Sequence, residues 1–187
     1  MAVNRNRLKL LLIVAIFVVP VVVATLAARY WRPEKLANYG ELVAPTEFKP
    51  RGLRTAAGAP FDLAELRGKW LLVLPLSGDC DQACEENLYL MRQVRLMTGR
   101  EQGRVERLVI AVRPLPEALA KQHPGLRQAL AGERGGELGA PMATEGGAGR
   151  VYLVDPLGRL VLRYPAAPDG RRMHKDLERL LKYSQIG

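Results

Sequence analysis

Both cysteines of the 187-residue chain fall in one short stretch, Ser77-Gly78-Asp79-Cys80-Asp81-Gln82-Ala83-Cys84. A spacing of four sets two side chains on the same helical face, one turn apart. Their Cα atoms would then lie about 6 Å apart, inside the range a disulfide accepts. The same sulfurs, once reduced, could instead hold one soft cation such as Cu(I). The positive end of a helix favours the thiolate that either chemistry needs. Asp79, Asp81, Glu85 and Glu86 oppose it, because like charge disfavours a second anion, and the same acids attract a cation. Cys84 continues an apolar stripe through Leu88 and Met91, so it is expected to be the buried partner and Cys80 the exposed one. A permanent structural disulfide is the alternative to redox or metal work.

Such a pair has to be carried by a strand and a helix, and the flanking sequence supplies both. Trp70 to Leu76 is an apolar run between Gly68 and Gly78, which is a buried-strand pattern. Asp81 to Thr98 reads as a helix, with Gly99 as its stop. Val105 to Val112 reads as a second strand. Pro114 to Leu130 reads as helical in part, broken by Pro124, and the glycine-rich stretch from Ala131 to Arg150 as a loop. Val151 to Tyr164 alternates on either side of Asp155-Pro156-Leu157-Gly158, a type I turn, and predicts a hairpin. Arg171 to Tyr183 is an amphipathic helix with Met173, Leu177, Leu180 and Leu181 on one face. Strand, helix, strand, helix, hairpin, helix is the order of a thioredoxin-like α/β domain, a central sheet flanked by helices.

Ahead of this domain, Leu10 to Ala28 carries no charge and would span about 28 Å as a helix, close to the hydrocarbon thickness of a bilayer. Pro20 is tolerable there. Tyr30 and Trp31, beside Arg29 and Arg32, stand where interfacial residues belong. Thr25-Leu26-Ala27 loosely fits a signal-peptide cleavage site, but the apolar run is longer than a signal core. The expected organisation is a cytoplasmic tail (1–9), one transmembrane anchor (10–30), a linker able to add an edge strand (31–60) and the thioredoxin-like domain (61–187). Arg5, Arg7 and Lys9 favour a cytoplasmic N-terminus. The protein is then single-pass in the inner (plasma) membrane, with its C-terminal domain in the periplasm, where thiols are oxidised, metal-bound or redox-active.

Composition narrows the function. With 48% hydrophobic and 25% charged residues the chain is neither disordered nor fibrous. Two cysteines are too few for a disulfide scaffold or a four-thiolate zinc site. Of the net charge of +9, from 28 Lys+Arg against 19 Asp+Glu, three positive charges are Arg5, Arg7 and Lys9 and the rest is spread as single arginines rather than a basic block, so no nucleic-acid partner is expected. Phosphate-loop, zinc-protease and nucleophile-elbow motifs are missing.

From Leu66 to Tyr164, through LRGKWLLVLPLSGDCDQAC and VYLVDPLGRLVLRY, the chain resembles the Sco/SenC family. These are membrane-tethered thioredoxin-fold proteins that help assemble the copper centre of cytochrome c oxidase. The resemblance implies that Cys80 and Cys84 exchange disulfides or bind Cu(I), and that the partner is an oxidase subunit or assembly factor. It departs from the family at Glu85, where a proline usually follows the second cysteine. It departs again at Glu145 to Arg150, where a histidine copper ligand is expected. Arg150 also replaces the proline that thioredoxins place before the hairpin.

The remaining donors are read as follows: His123 solvated, His174 on a helix face, Met142 a loop residue with a soft sulfur, Met91 and Met97 core. Arg92, Arg95 and Arg100 read as helix-surface charges, and Glu85-Glu86 as a solvated face. Two other functions compete: a non-catalytic docking scaffold with a structural disulfide, and a general periplasmic thiol reductase. Whether the chain is an enzyme, a thiol–disulfide oxidoreductase, is therefore left open by the residues.

Overall fold

The computed structural model describes residues 5–30, 38–132, 142 and 149–184. The chain divides into two units, Met1–Ala37 and Asn38–Gly187. In the first, helix α1 runs Arg5–Tyr30 with Pro20 inside it, and it is apolar all round rather than along one stripe. Leu11, Phe17, Val21 and Leu26 are exposed on it. Among the described residues no helix is long and apolar enough to cross a membrane.

The second unit is built on a six-stranded mixed sheet. Its strands are β1 (Glu41–Glu47), β2 (Trp70–Pro75), β3 (Val105–Ala111), β4 (Leu126–Leu130), β5 (Tyr152–Val154) and β6 (Arg159–Arg163), in the order β1-β6-β5-β2-β3-β4. β2, β3 and β4 are parallel; β5, β6 and β1 are antiparallel. The helices are α2 (Gln82–Met97), α3 (Glu117–Gln122) and α4 (Gly170–Tyr183).

Every residue of β2 is buried, because both faces of a central strand are covered. Side chains alternate across it. Trp70, Leu72 and Leu74 join a core with Leu88 and Met91 of α2 and Met173 and Leu177 of α4. Leu71 and Val73 join a second core with Leu53, Leu66, Ile110 and Tyr152. A fully buried leucine contributes roughly 1.5–3 kcal/mol, so Leu72 and Leu74 on one β2 face and Leu71 on the other matter to a domain of this size.

The hairpin forms around the expected turn. Gly158 N–H donates to the Asp155 carbonyl at 2.9 Å, and the Asp155 carboxylate accepts from Leu157 and Arg159 N–H at 3.0 and 2.7 Å. Gly158 has φ +82°, a conformation that side chains with a Cβ resist.

Two expectations are corrected here. Leu126–Leu130, read as the tail of a helical region, is strand β4, paired with β3 from Arg107↔Leu126 to Ala111↔Leu130. Pro124 and Gly125 (φ +75°) end the helical path, and pairing with β3 decides the rest. Met97, read as core, is 43% exposed because it closes α2 beyond the last turn that faces the sheet.

Candidate functional site

The site lies where β2 ends and α2 begins. Cys80 and Cys84 are joined in a disulfide with Cα atoms 5.2 Å apart. The route to that distance differs from a pair on one helical face. Asp81 is the N-cap of α2, in extended backbone, and its carboxylate accepts from the Cys84 N–H at 2.9 Å. Cys84 therefore sits in the first turn, while Cys80 precedes the helix altogether. Short polar side chains compete for helix N-termini, and here the aspartate between the cysteines takes the cap.

The two sulfurs are in unequal surroundings. Cys84 is 3% exposed and belongs to the core shared by β2, α2 and α4, whereas Cys80 is half-buried and only borders it. The stripe Cys84, Leu88, Met91 is buried as its spacing implies, with Val94 extending it. Asn87, on the same side of α2, is also buried and was missed; a polar residue on an apolar stripe was its signal. Its Nδ2 donates to the Gly149 carbonyl at 3.0 Å, and Gly149 N–H donates to the Pro75 carbonyl at 2.7 Å. These bonds bring the segment that precedes the hairpin against the end of β2. Arg150 stands in that segment, half-buried, in the place where a thioredoxin has proline.

The carboxylates around the sulfurs are exposed and mostly engaged. Asp79 pairs with Arg113 at 3.2 Å, Asp81 holds the helix cap, and Glu86 accepts from Gln82 Nε2 at 2.9 Å. Glu85, at the position where a proline was expected, is exposed.

The other candidate donors do not gather at the sulfurs. His123 is not solvated but 5% exposed, at the end of α3 in a groove it shares with Glu85, Glu86 and Arg92, and among the described residues its Nδ1 has no partner. Burial, and then the nearby Arg107 and Arg92 charges, hold its pKa below the ordinary imidazole value. His174 stands on the α4 face, with Nε2 3.1 Å from the Met97 carbonyl. Met142 is 2% exposed in the second core, across the sheet from Cys84. Of the stretch expected to hold a histidine ligand, residues 145–148 lie outside the described residues. Among the described residues no group of three His, Cys, Asp or Glu side chains could hold a metal ion. Among the described residues two sulfurs, available only after reduction, are thus the donor set at this site, and by themselves they supply no third ligand to copper.

Comparison with known proteins places this arrangement. The family model described as transmembrane-like, thioredoxin-like, C-terminal domain matches residues 70–184, and the model described as transmembrane-like, N-terminal domain matches residues 2–30. No curated protein matches the chain. Among solved structures it is similar to apo Sco1 of Thermus thermophilus (TM-score 0.58, 21% identity, covering 79% of this chain and 99% of that one). It is also similar to copper-bound yeast Sco1 (0.54, 18%, covering 80% and 96%). A further likeness is to copper-bound ScoI of Bradyrhizobium japonicum (0.50, 20%, covering 73% and 99%). Identities this low establish the thioredoxin-like fold.

Proposed function

The chain belongs to the transmembrane-like, thioredoxin-like family, and from that premise we propose that it is a membrane-anchored thiol–disulfide exchange protein serving cytochrome c oxidase assembly. The observation that carries the reading is the inequality of the two sulfurs at the start of α2. A client thiolate attacks the half-exposed Cys80 Sγ, the Cys80–Cys84 bond breaks, and the electron pair leaves on Cys84 Sγ. That thiolate forms in the first helical turn, where the α2 dipole favours negative charge. A second client thiolate then attacks the client sulfur of the mixed disulfide and releases Cys80. The client dithiol is oxidised to a disulfide and Cys80–Cys84 is reduced to two thiols; the reverse sequence reduces a client.

The anchor supports the setting of this chemistry. Leu10 to Ala28 is uncharged in sequence, α1 covers it, and the N-terminal family match spans residues 2–30. In this reading the tail is 1–9 and the anchor 10–30, and of the stretch 31–60 expected as linker the part from Asn38 on, with β1, belongs to the compact unit, which lies on the periplasmic side of the inner membrane. Oxidase assembly enters from the likeness to Sco proteins.

Cu(I) carried as cargo is the second reading. It is favoured by two soft donors one disulfide apart and by the copper-bound state of the yeast and Bradyrhizobium neighbours. It is weakened by the want of a third donor among the described residues. The deciding experiment equilibrates the full chain with glutathione buffers. Exchange function predicts a midpoint above about −300 mV, the level below which structural disulfides lie. A lower midpoint, together with oxidase assembly supported by the double Cys→Ser variant, would leave only a docking scaffold. Near-stoichiometric Cu(I) binding by the reduced protein, lost in Cys80→Ser, would establish the cargo reading instead.

A further inference from the structure

We propose that the outward face of α4 docks on anionic lipid headgroups and seats the compact unit on the membrane surface. This rests on the anchor reading above. α4 buries Met173, Asp176, Leu177 and Leu181 and turns Arg171, Arg172, Lys175, Arg179 and Lys182 outward. Glu178 is the one exposed acid on the helix. Among the described residues no ion pair engages Arg171, Lys175 or Lys182. Tyr183, 77% exposed, ends the same helix with an aromatic ring of the kind that sits at headgroup level.

Charge alone would suit any acidic partner; the point of chain entry selects lipid. The compact unit begins at Asn38, and its first backbone groups are fastened to this helix. Tyr39 N–H donates to both Asp176 carboxylate oxygens at 2.9 and 3.0 Å, and Gly40 N–H donates at 2.8 Å. The Arg172 guanidinium lies 4.0 Å over the Tyr39 ring. Between Tyr30, the end of α1, and Tyr39 run residues 31–38, which even fully extended reach no more than about 30 Å. With α1 in a bilayer, a basic helix tied to the far end of that tether stays close to the surface. Attraction to acidic lipid acts over about a Debye length there and weakens with salt.

The test places the full chain in nanodiscs of phosphatidylcholine alone or with about 30% phosphatidylglycerol. Lysines are acylated with a water-soluble reagent at low salt and read individually by mass spectrometry. Lys175 and Lys182 are expected to react at least about threefold more slowly in the acidic discs, and high salt should abolish the difference. Lys49 and Lys121, exposed away from α4, serve as references and should react alike in both. In an Arg171→Glu/Lys182→Glu variant the lipid dependence at Lys175 should vanish. Equal Lys175 and Lys182 rates in both discs, in a chain that resists alkaline carbonate extraction, would overturn docking while leaving the anchor intact. The face would then belong to an acidic protein. Release of the chain by carbonate would overturn the anchor and the docking with it.

Discussion

Two fastenings on the α2–α4 side of the sheet make a useful contrast. The Cys80–Cys84 bond joins residues four apart in sequence, whereas the Asp176 carboxylate holds Tyr39 and Gly40 across 137 and 136 residues. Closing so short a loop removes little entropy from the unfolded chain, about 2 kcal/mol on the chain-entropy account. The Asp176 clasp is 2% exposed, and removing it strands backbone donors inside the protein. It also lies against Tyr164, whose phenol is held protonated well above its ordinary range by burial and then by the Asp176 charge. The covalent link thus closes a short loop whose opening costs the fold little, as the proposed exchange requires. The fold is held together elsewhere.

The sharpest break of this contrast is Cys80→Ser. It should abolish exchange with a glutathione buffer while costing no more than about 2 kcal/mol in urea unfolding. A stability loss well beyond that would make the bond structural. Asp176→Ala should do the reverse, lowering stability by about 3 kcal/mol through unsatisfied buried donors. The midpoint potential of its folded fraction should not move.

Two smaller changes fall between these extremes. Asn87→Ala removes the bond to the Gly149 carbonyl and should cost about 1–2 kcal/mol. Because that bond holds the segment beside the sulfurs, the rate of exchange should change as well; an unaltered rate would detach Gly149 from the site. Asp81→Ala removes the α2 cap for about 1 kcal/mol. Circular dichroism melts measure that loss, and a potential shift in this variant would show that the cap also sets the redox balance.

The smallest expected effect concerns pH at His123. Its folded pKa is lowered, by burial first and by Arg107 and Arg92 next. The unfolded histidine takes up a proton near pH 6.5 while the folded one does not, so the unfolded state binds more protons just below that pH. Stability is therefore full above about pH 6.5 and falls as pH drops below it. Urea midpoints at pH 7.5 and 5.5 should differ in the parent chain and differ less in His123→Gln.

Much of this molecule is written locally. The β2 run, the α2 stripe from Cys84 to Met91, the Asp155–Gly158 turn and the amphipathic α4 each announce themselves by period and by turn chemistry, and these suffice to order the elements. The pairing of the two cysteines is local as well, and so is their inequality, since the stripe buries one and leaves the other at the margin. Competition between nearby polar groups was harder to read: the spacing of the cysteines suggested one helical face, but Asp81 took the cap and left Cys80 outside the helix.

What the tertiary structure alone decided are the contacts between distant residues. Leu126–Leu130 became a strand because β3 offered an open edge, against a weak helical pattern. His123 and Met142 went into the interior on opposite sides of the sheet, although each looked like a loop or surface residue in its own neighbourhood. Asp176, a charge in the buried stripe of α4, makes sense only once Tyr39 and Gly40 arrive to be bound. Period and capping are properties of a few consecutive residues, so a sequence states them directly. Burial of Asn87 and of Asp176 depends on partners 62 and 136 residues away, and only the folded chain supplies them.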